Sequence, residues 1–178
     1  ARGVRVTAEA SPHHLVLTDE AVEGYRTEAK MNPPLRRQED VDAVRAGVAD
    51  GTLDTIATDH APHHYDEKEA AFADAPNGIV GLETAVGVVM TRVVAEGVID
   101  LPTMVERMSC QPARAFNLAG GTLREGGVAD VTVIDPTETW TVDAKAFLSR
   151  SGNTPFGGWK LTGRPRMTIV DGRVVWSA

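Results

Sequence analysis

The stretch LDTIATDHAPHH, residues 53–64, joins a short apolar segment to an aspartate and three histidines. Its β-branched residues favour a strand over the first half, and Asp59 stands where that strand is predicted to end. The chain has five histidines, and the other two are adjacent in SPHHL, residues 11–15. Every imidazole therefore lies in one of two clusters, which indicates a polar site rather than histidines scattered through a core.

The rest of the chain predicts strands and helices that give way to strands alone. VRVTAEA, residues 4–10, is rich in β-branched residues and predicts another strand. Apolar spacing, Pro102 in a first turn and closing glycines predict helices over residues 38–51, 81–97, 101–108 and 111–119. From about residue 119 strand patterns predominate, and Asp171–Gly172 is a tight hairpin signal.

Two parallel strands with helices beside them leave apolar faces and edges uncovered. Both long loops follow the carboxyl ends of strands, where a (β/α)8 barrel carries its chemistry. Because such a barrel needs roughly 250 residues, we expect residues 1–118 to hold its last two βα units with trailing helices. Residues 119–178 would then belong to a small β domain. A doubly wound open sheet is the alternative, but no glycine-rich phosphate loop follows the first strand.

The composition restricts the classes of function. The 178 residues are 42% hydrophobic and 24% charged, which is typical of a globular protein, and the net charge of −7 argues against nucleic acid as a partner. Neither a membrane-spanning run nor a signal peptide is visible. The single cysteine, Cys110, fits a reducing cytoplasm. Since the chain opens without methionine and runs directly into a strand pattern, we expect it to be part of a longer polypeptide.

Asp59 is the main candidate for catalysis. Aspartate and histidine are both zinc ligands, and a catalytic zinc usually takes three protein ligands and a water molecule, whose pKa it lowers to about 7. A carboxylate that touches the metal and the water can also carry a proton to a leaving group. Asp59 is therefore a candidate metal ligand and proton shuttle; the rival interpretation is a helix or loop cap.

The histidines near Asp59 have different expected roles. His63 lies in a loop that could fold over the site, where its imidazole could hold a substrate carboxylate. His60 would point the opposite way if the strand continues, and His64 is expected to be a solvated loop residue. For His13 and His14 we expect packing or hydrogen bonding rather than metal binding.

Two other loops offer groups to a ligand. In KMNPPLR, residues 30–36, two prolines stiffen the segment that presents Asn32, whose amide can donate and accept hydrogen bonds. An ordinary loop with a Pro-Pro corner is the alternative. In APNGIVG, residues 75–81, the glycines could let backbone N–H groups approach a ligand, or the segment could be only a turn before a helix.

At this point the motifs TAEASPHHL, KMNPPLR, ATDHAPH and GIVGLETA together resemble the bacterial class I dihydroorotases of the amidohydrolase superfamily. The closing segments GTLREGGVADVTVID and TPFGGWKLTGRPRMTIVDGRVV are similar to their small β-sandwich domain. The resemblance runs over the whole chain and covers under half of a complete enzyme. It implies the C-terminal part of a (β/α)8 TIM-type metallo-hydrolase barrel, followed over residues 119–178 by the C-terminal part of the β-sandwich.

The resemblance also implies an activity and a set of roles. The activity is the zinc-dependent, reversible cyclisation of N-carbamoyl-L-aspartate to L-dihydroorotate in cytoplasmic pyrimidine biosynthesis. Asp59 matches the zinc-ligating aspartate that serves as general acid and base, and Asn32 and His63 match substrate-binding residues. Asn77 and Gly78 match a pair whose main chain contacts the substrate ring, although family members often carry an aromatic residue at the first of these positions.

The resemblance places the remaining metal ligands upstream: an HxH motif, a bridging aspartate or carboxylated lysine, and two histidines. We therefore expect that these 178 residues alone neither hydrolyse substrate nor bind their one or two zinc ions tightly. Expected partners are the missing N-terminal half, with a second copy or aspartate transcarbamoylase as further candidates. Two alternatives stay open: a catalytically inactive dihydroorotase-like scaffold that partners aspartate transcarbamoylase, and another cyclic amidase such as a hydantoinase.

Overall fold

The structure, a computed structural model, describes residue 4 and residues 6–178 as a mixed α/β chain with two sheets. In the first sheet, strand β1 (Glu9–Ala10) pairs in parallel with strand β2 (Thr55–Ile56). The parallel pairing agrees with the expectation of βα units. One further parallel bridge joins His60 to Ile79, in a segment that the sequence predicted to be a loop or turn.

Both strands are shorter than the predicted strands of residues 4–10 and 53–59, and Arg5 lies outside the described residues. The N–H of Ala8 donates to the Asp54 carboxylate at 2.8 Å instead of to a main-chain carbonyl of the neighbouring strand. This bond to a side chain explains why regular strand pairing does not include Ala8. The backbone around the strands stays hydrogen-bonded, because the N–H of Ala57 still donates to Ala10 O at 3.0 Å.

The predicted helices are present, with shorter or interrupted bounds. Helix α1 (Gln38–Asp50) ends at Gly51, whose φ of 86° is the left-handed conformation that glycine adopts at helix ends. The short helix α2 lies within a predicted loop, and two of the later helices widen into π-helical turns. Their bounds are α2 (Tyr65–Lys68), α3 (Ala85–Val89) with π turn Met90–Val94, α4 (Leu101–Val105) with π turn Glu106–Cys110, and α5 (Gln111–Ala115). Four 3-10 turns complete the helical segments: His13–Leu15, Asp19–Val22, Thr27–Ala29 and Ala144–Ala146.

The second sheet is antiparallel, in the order β3 (Val131–Thr141), β4 (Lys160–Val170) and β5 (Arg173–Ser177). Asp171 and Gly172 have φ values of 49° and 73° between the paired residues at the ends of β4 and β5. Positive φ at both central residues is the geometry of a two-residue hairpin turn that matches strand twist. The predicted hairpin is therefore confirmed.

Two apolar clusters form the core, and helix α3 belongs to both. One packs β1, β2, α1 and the π turn after α3 around Ala10, Leu15, Val48, Ile56, Val89, Met90, Val93, Ile99 and Met104. The other joins α3 to β4 and to the long loops through Leu17, Ala29, Met31, Leu35, Ile79, Val88, Val142, Phe156 and Leu161. Adjacent side chains of α3 thus anchor the parallel strands and the antiparallel sheet. Within residues 4 and 6–178, no helix has the length and apolar character that crossing a bilayer requires.

Leu161→Ala tests whether the junction of α3 and β4 stabilises the protein. Leu161 is fully buried, so its truncation should lower the free energy of unfolding by about 2–5 kcal/mol, through lost burial and a residual cavity. Leu123 is 84% exposed, and Leu123→Ala should change the free energy of unfolding by no more than about 0.5 kcal/mol. Urea unfolding of both variants measures the difference, and equal losses would contradict the assignment of Leu161 to the core.

Candidate active site

Asp59 lies just beyond β2 in a conformation that is unusual for its residue type. Its φ is 51°, in the left-handed region that only a few per cent of non-glycine residues occupy. Its side chain is 59% exposed, and Oδ2 lies 3.8 Å from Nε2 of His13. Among the residues that the structure describes, Asp59 makes no hydrogen bond to Asn32 or His63. The carboxylate is therefore presented at a strand end, beside His13, without an internal partner that occupies it.

His13 is buried, and its Nε2 has no hydrogen-bond partner within the described part of the chain. The distance of 3.8 Å to the Asp59 carboxylate is longer than a hydrogen bond. Burial, together with the neighbouring His14 imidazole, lowers the pKa of His13 from 6.5 to about 3. The ring is therefore neutral at pH 7, and its contact with Asp59 is not an ion pair. A buried nitrogen left unpaired is costly.

His14 fastens the loop that presents Asn32. Its Nε2 lies 2.9 Å from the carbonyl oxygen of Pro33, and its Nδ1 lies 2.6 Å from Oγ of Ser11. Because a carbonyl can only accept, Nε2–H is the donor and Nδ1 accepts from the Ser11 hydroxyl. The ring thus links the 3-10 turn at its own position to the KMNPPLR loop. The expectation that His14 serves hydrogen bonding is confirmed.

His60 and His64 also bond to main-chain groups. The Nδ1 atom of His60 accepts from the N–H of Gly81 at 3.1 Å, next to the bridge between His60 and Ile79. His64 caps α2, because its ring accepts from Asp66 N–H at 3.4 Å and its own N–H donates to Glu67 at 3.0 Å. His64 is exposed, as expected for a solvated loop. Glu67 follows His64 by three residues, in the sequence HYDE, which is the spacing of a capping box at the start of a helix.

The structure brings His63 and Asn77 together. The Nε2–H of His63 donates to the main-chain oxygen of Asn77 at 2.9 Å, and its Nδ1 lies 3.6 Å from the carboxylate of Glu67. The main-chain N–H of His63 donates to Oδ1 of Asn153 at 3.1 Å. The imidazole therefore ties the ATDHAPH loop to the APNGIVG loop.

Gly78 makes a close approach between segments. Its N–H donates to the carbonyl of Lys30 at 2.8 Å, so this main-chain donor is bonded within the protein and the exposed member of the pair is Asn77. The φ of Gly78 is 108°, and a Cβ there would lie 2.6 Å from Cβ of Ala61. Only glycine fits this position without displacement.

Asn32 is exposed two residues from Lys30, on the loop that Gly78 contacts. A nearby cavity of about 470 Å³ includes Asn77 in its wall but not Asp59 or His63, and its lining is Asp19, Val22, Ala29, Lys30, Met31, Pro34, Leu35, Phe72 and Asn77. The predicted residues thus form two groups. Asp59 faces His13, while the loops of Asn32, His63, Asn77 and Gly78 are hydrogen-bonded to one another.

Two buried residues at this site escaped the sequence reasoning. Lys68 is buried, its ammonium donates to the carbonyls of Thr27 and Pro76 at 3.0 and 2.8 Å, and burial lowers its pKa. Asn153 is also buried and bonds to the segments of both His63 and Gly78. Neither residue belongs to a recognisable motif, and the main-chain groups to which their side chains bond lie 8 to 92 positions away.

The side chains near Asp59 show how many metal ligands this part of the chain can supply. Asp59 supplies one carboxylate, and the unpartnered Nε2 of His13 is the nearest imidazole nitrogen. The described residues contain no group of three or more histidine, cysteine, aspartate or glutamate side chains placed to hold a metal. Because a catalytic zinc takes three protein ligands, Asp59 fits as one ligand of a centre that needs further groups.

The chain belongs to the amidohydrolase family, whose family model matches residues 1–175. Among curated proteins, a dihydroorotase from Geobacter metallireducens is 56% identical over 176 residues, which are 99% of this chain and 41% of that protein. A dihydroorotase from Syntrophotalea carbinolica is 57% identical over 176 residues, with the same coverage of 99% and 41%. The chain therefore spans about 41% of the length of these relatives.

Solved structures of hydantoinases share the fold. L-hydantoinase (dihydropyrimidinase) from Arthrobacter aurescens matches with a TM-score of 0.90 and 34% identity, over 97% of this chain and 39% of that protein. D-hydantoinase (dihydropyrimidinase) from Thermus sp. matches with a TM-score of 0.89 and 30% identity, over 97% of this chain and 40% of that protein. The chain thus shares its fold with part of each of these two proteins.

The buried, neutral state of His13 predicts a loss of stability in acid. Its pKa is about 3 in the folded protein, against the ordinary histidine value of 6.5, so below pH 6.5 the unfolded chain binds a proton that the folded chain does not. The free energy of unfolding should then fall by up to about 1.4 kcal/mol per pH unit between pH 6.5 and 5. Urea unfolding in a chelating buffer should show a shallower decline for His13→Gln and His13→Leu alike. An unchanged slope in both variants would contradict the buried neutral imidazole.

Gly78→Ala tests the close approach of the two loops. The new methyl would meet Ala61 at 2.6 Å and should lower the free energy of unfolding by about 1–3 kcal/mol through overpacking, in addition to the strain of a positive φ. Gly24 also has a positive φ, but a Cβ there meets nothing within 4 Å. Gly24→Ala is therefore the control for strain alone, and urea unfolding should show Gly78→Ala to be the more damaging change. Equal losses would mean that Ala61 moves aside without cost.

Proposed function

We propose that the chain works as the C-terminal part of a dihydroorotase, which reversibly cyclises N-carbamoyl-L-aspartate to L-dihydroorotate. The observation that carries the proposal is the 56–57% identity to dihydroorotases over 99% of the chain. That match includes every loop that contributes to the candidate site. Because the chain spans about 41% of those proteins, the complete enzyme would include an N-terminal part that supplies the other metal ligands. The single free cysteine is consistent with a cytoplasmic enzyme.

The proposed architecture follows the same comparison. Residues 1–118 would provide the last two βα units of a (β/α)8 barrel with trailing helices, and residues 119–178 the C-terminal part of a β-sandwich. The parallel pairing of β1 with β2, the further parallel bridge at His60 and the antiparallel sheet of β3, β4 and β5 support this division. In such a barrel the carboxyl ends of the strands form the active-site face, which is where Asp59 lies.

Asp59 would be the carboxylate ligand of the zinc centre. A zinc ion bound there would polarise the amide carbonyl and lower the pKa of a water molecule to about 7. The exposure of Asp59 at a strand end and its positive φ support this role, because strained backbone tends to persist at functional sites. The remaining ligands, and the choice between one zinc ion and two, belong to the N-terminal part.

In this proposal Asp59 transfers protons, and other residues of the chain bind the substrate. In the hydrolytic direction, the Asp59 carboxylate accepts a proton from the water that adds to the ring amide carbonyl. It delivers that proton to the ring nitrogen as the carbon–nitrogen bond breaks. Asn32 and His63 bind the substrate, and the main chain at Asn77 and Gly78 contacts its ring without the N–H of Gly78, which already donates to Lys30. Holding the reactants in place in this way lowers the barrier by several kcal/mol in favourable cases.

Two alternative functions make different predictions for the complete protein. The similarity to L-hydantoinase, at a TM-score of 0.90, favours another cyclic amidase as the second candidate. A catalytically inactive scaffold that binds aspartate transcarbamoylase is the third. Turnover of L-dihydroorotate, hydantoin and dihydrouracil by the purified complete protein separates the three. Preference for dihydroorotate supports the proposal, preference for either other ring favours a hydantoinase, and absence of turnover with zinc bound favours a scaffold.

Asp59→Asn in the complete enzyme tests the assignment of the acid and base. The amide cannot accept and return the proton, so kcat with dihydroorotate should fall at least 10²-fold. Asp171→Asn is the matched control, because Asp171 is also an exposed aspartate with a φ near 50°, in the hairpin turn. Its kcat should stay near that of the parent enzyme. Near-normal turnover by Asp59→Asn would remove the proposed role.

A further inference from the structure

Asn153 lies in the loop before β4, yet its side chain reaches the two loops on which substrate binding is proposed to depend. Its Oδ1 accepts from the main-chain N–H of His63 at 3.1 Å and lies 2.7 Å from Oγ of Ser151. Its Nδ2 donates to the carbonyls of Ala61 at 3.0 Å and Gly78 at 3.2 Å. One buried amide therefore bonds to both loops at once.

The orientation of this amide is fixed by its partners. A main-chain N–H can only donate and a main-chain carbonyl can only accept, so Oδ1 must face His63 and Nδ2 must face the two carbonyls. Both N–H donors of Nδ2 are used, and Oδ1 accepts from the N–H of His63. Asn153 is only 7% exposed, so water does not readily replace a lost partner, and each unpaired group is costly.

The network begins where regular pairing between the two loops stops. His60 and Ile79 form a parallel bridge, and the N–H of Ala61 donates to Ile79 O at 2.8 Å. Beyond that point the amide of Asn153 joins the segments in place of a backbone ladder, and its main-chain oxygen accepts from Val80 N–H at 3.0 Å. The Ser151 hydroxyl lies beside both the carbonyl of His63 and Oδ1 of Asn153, and its one proton is donated to either of these acceptors in turn.

We propose that Asn153 is a positioning residue for substrate binding: it sets the spacing between His63 and the Asn77–Gly78 main chain. This inference rests on the proposed function, because it gives that spacing a role in holding the substrate. It does not extend to proton transfer, since the partners of Asn153 do not include Asp59. Loss of the amide should therefore weaken binding and leave the chemical step in place.

Asn153→Asp is the main test, in the complete zinc-loaded enzyme. The side chain keeps its shape, but a carboxylate oxygen replaces the donor that faces two carbonyl oxygens at 3.0 and 3.2 Å. We expect KM for dihydroorotate to rise at least 10-fold, while kcat changes by less than 3-fold and the zinc content per protein stays that of the parent. Asn153→Ala truncates the side chain and should give the same result as the isosteric change: KM rises while kcat changes little.

Two further variants make the test specific. Asn117→Asp introduces the same change of charge at an exposed turn after α5, and its KM should stay within 2-fold of the parent. Ser151→Ala removes a hydroxyl beside Asn153 and His63 and should raise KM in the same direction by a smaller factor. Because Ser151 is only partly buried, this variant provides the measurement if the changes at Asn153 prevent folding.

The outcomes separate this inference from the function on which it rests. If the parent turns over dihydroorotate and a folded Asn153→Asp variant keeps its KM, the positioning role is wrong while the proposed function stands. A fall in kcat at constant KM, or loss of zinc, would equally overturn it, because either result places the effect at the reacting groups. If the parent shows no turnover of dihydroorotate, the proposed function fails and the assignment of Asn153 fails with it.

Discussion

The arrangement of the site depends on irregular backbone that is buried and must still be hydrogen-bonded. The strands β1 and β2 are two residues long each, so most of the chain around the site has no ladder to satisfy its N–H and C=O groups. Buried polar groups of the main chain are nearly always paired. Here side chains supply the partners: His14 bonds to Pro33, His60 to Gly81, and Asn153 to the segments of His63 and Gly78. A few polar side chains thus determine the conformation of these loops.

The same constraint explains why Asp59 and His13 differ from the other acidic and imidazole groups nearby. A histidine whose two ring nitrogens both bond to protein groups, as those of His14 do, has no free ring nitrogen for a metal. The ring nitrogens of His14 have protein partners, whereas Nε2 of buried His13 has none and Asp59 remains 59% exposed. Nε2 of His13 and the exposed carboxylate of Asp59 are therefore the groups here that are available to a metal, and a partner for the buried Nε2 would offset its cost.

Sequence reasoning found the short-range features of the fold better than the side chains that hold the loops together. The β-branched segments around residues 9 and 55, the glycine after α1 and the Asp171–Gly172 turn have local signals, and the structure confirms them. The clustering of the histidines was also visible, but not which of them are structural, because that depends on contacts such as the one between His14 and Pro33, 19 positions apart. Asn153 gave no signal at all, since asparagine before a strand is ordinary and the main-chain groups to which its side chain bonds lie 75 to 92 positions away.

The position of Asn153, in the loop before β4, also connects the antiparallel sheet to the candidate site. The segment after it is anchored by Phe156 and Leu161, both buried in the cluster that contains Val88 of α3. Because α3 packs against the parallel strands through Val89 as well, the amide of Asn153 is held by the same helix that supports the strand before Asp59. A side chain on a rigid support can fix two loops, whereas one on a free loop would move with them. The loops of His63 and Gly78 and the strand that ends near Asp59 are thus connected to a single helix. That helix would keep the proposed binding groups and the proposed proton-transfer group at fixed relative positions, although they share no direct hydrogen bond in the described structure.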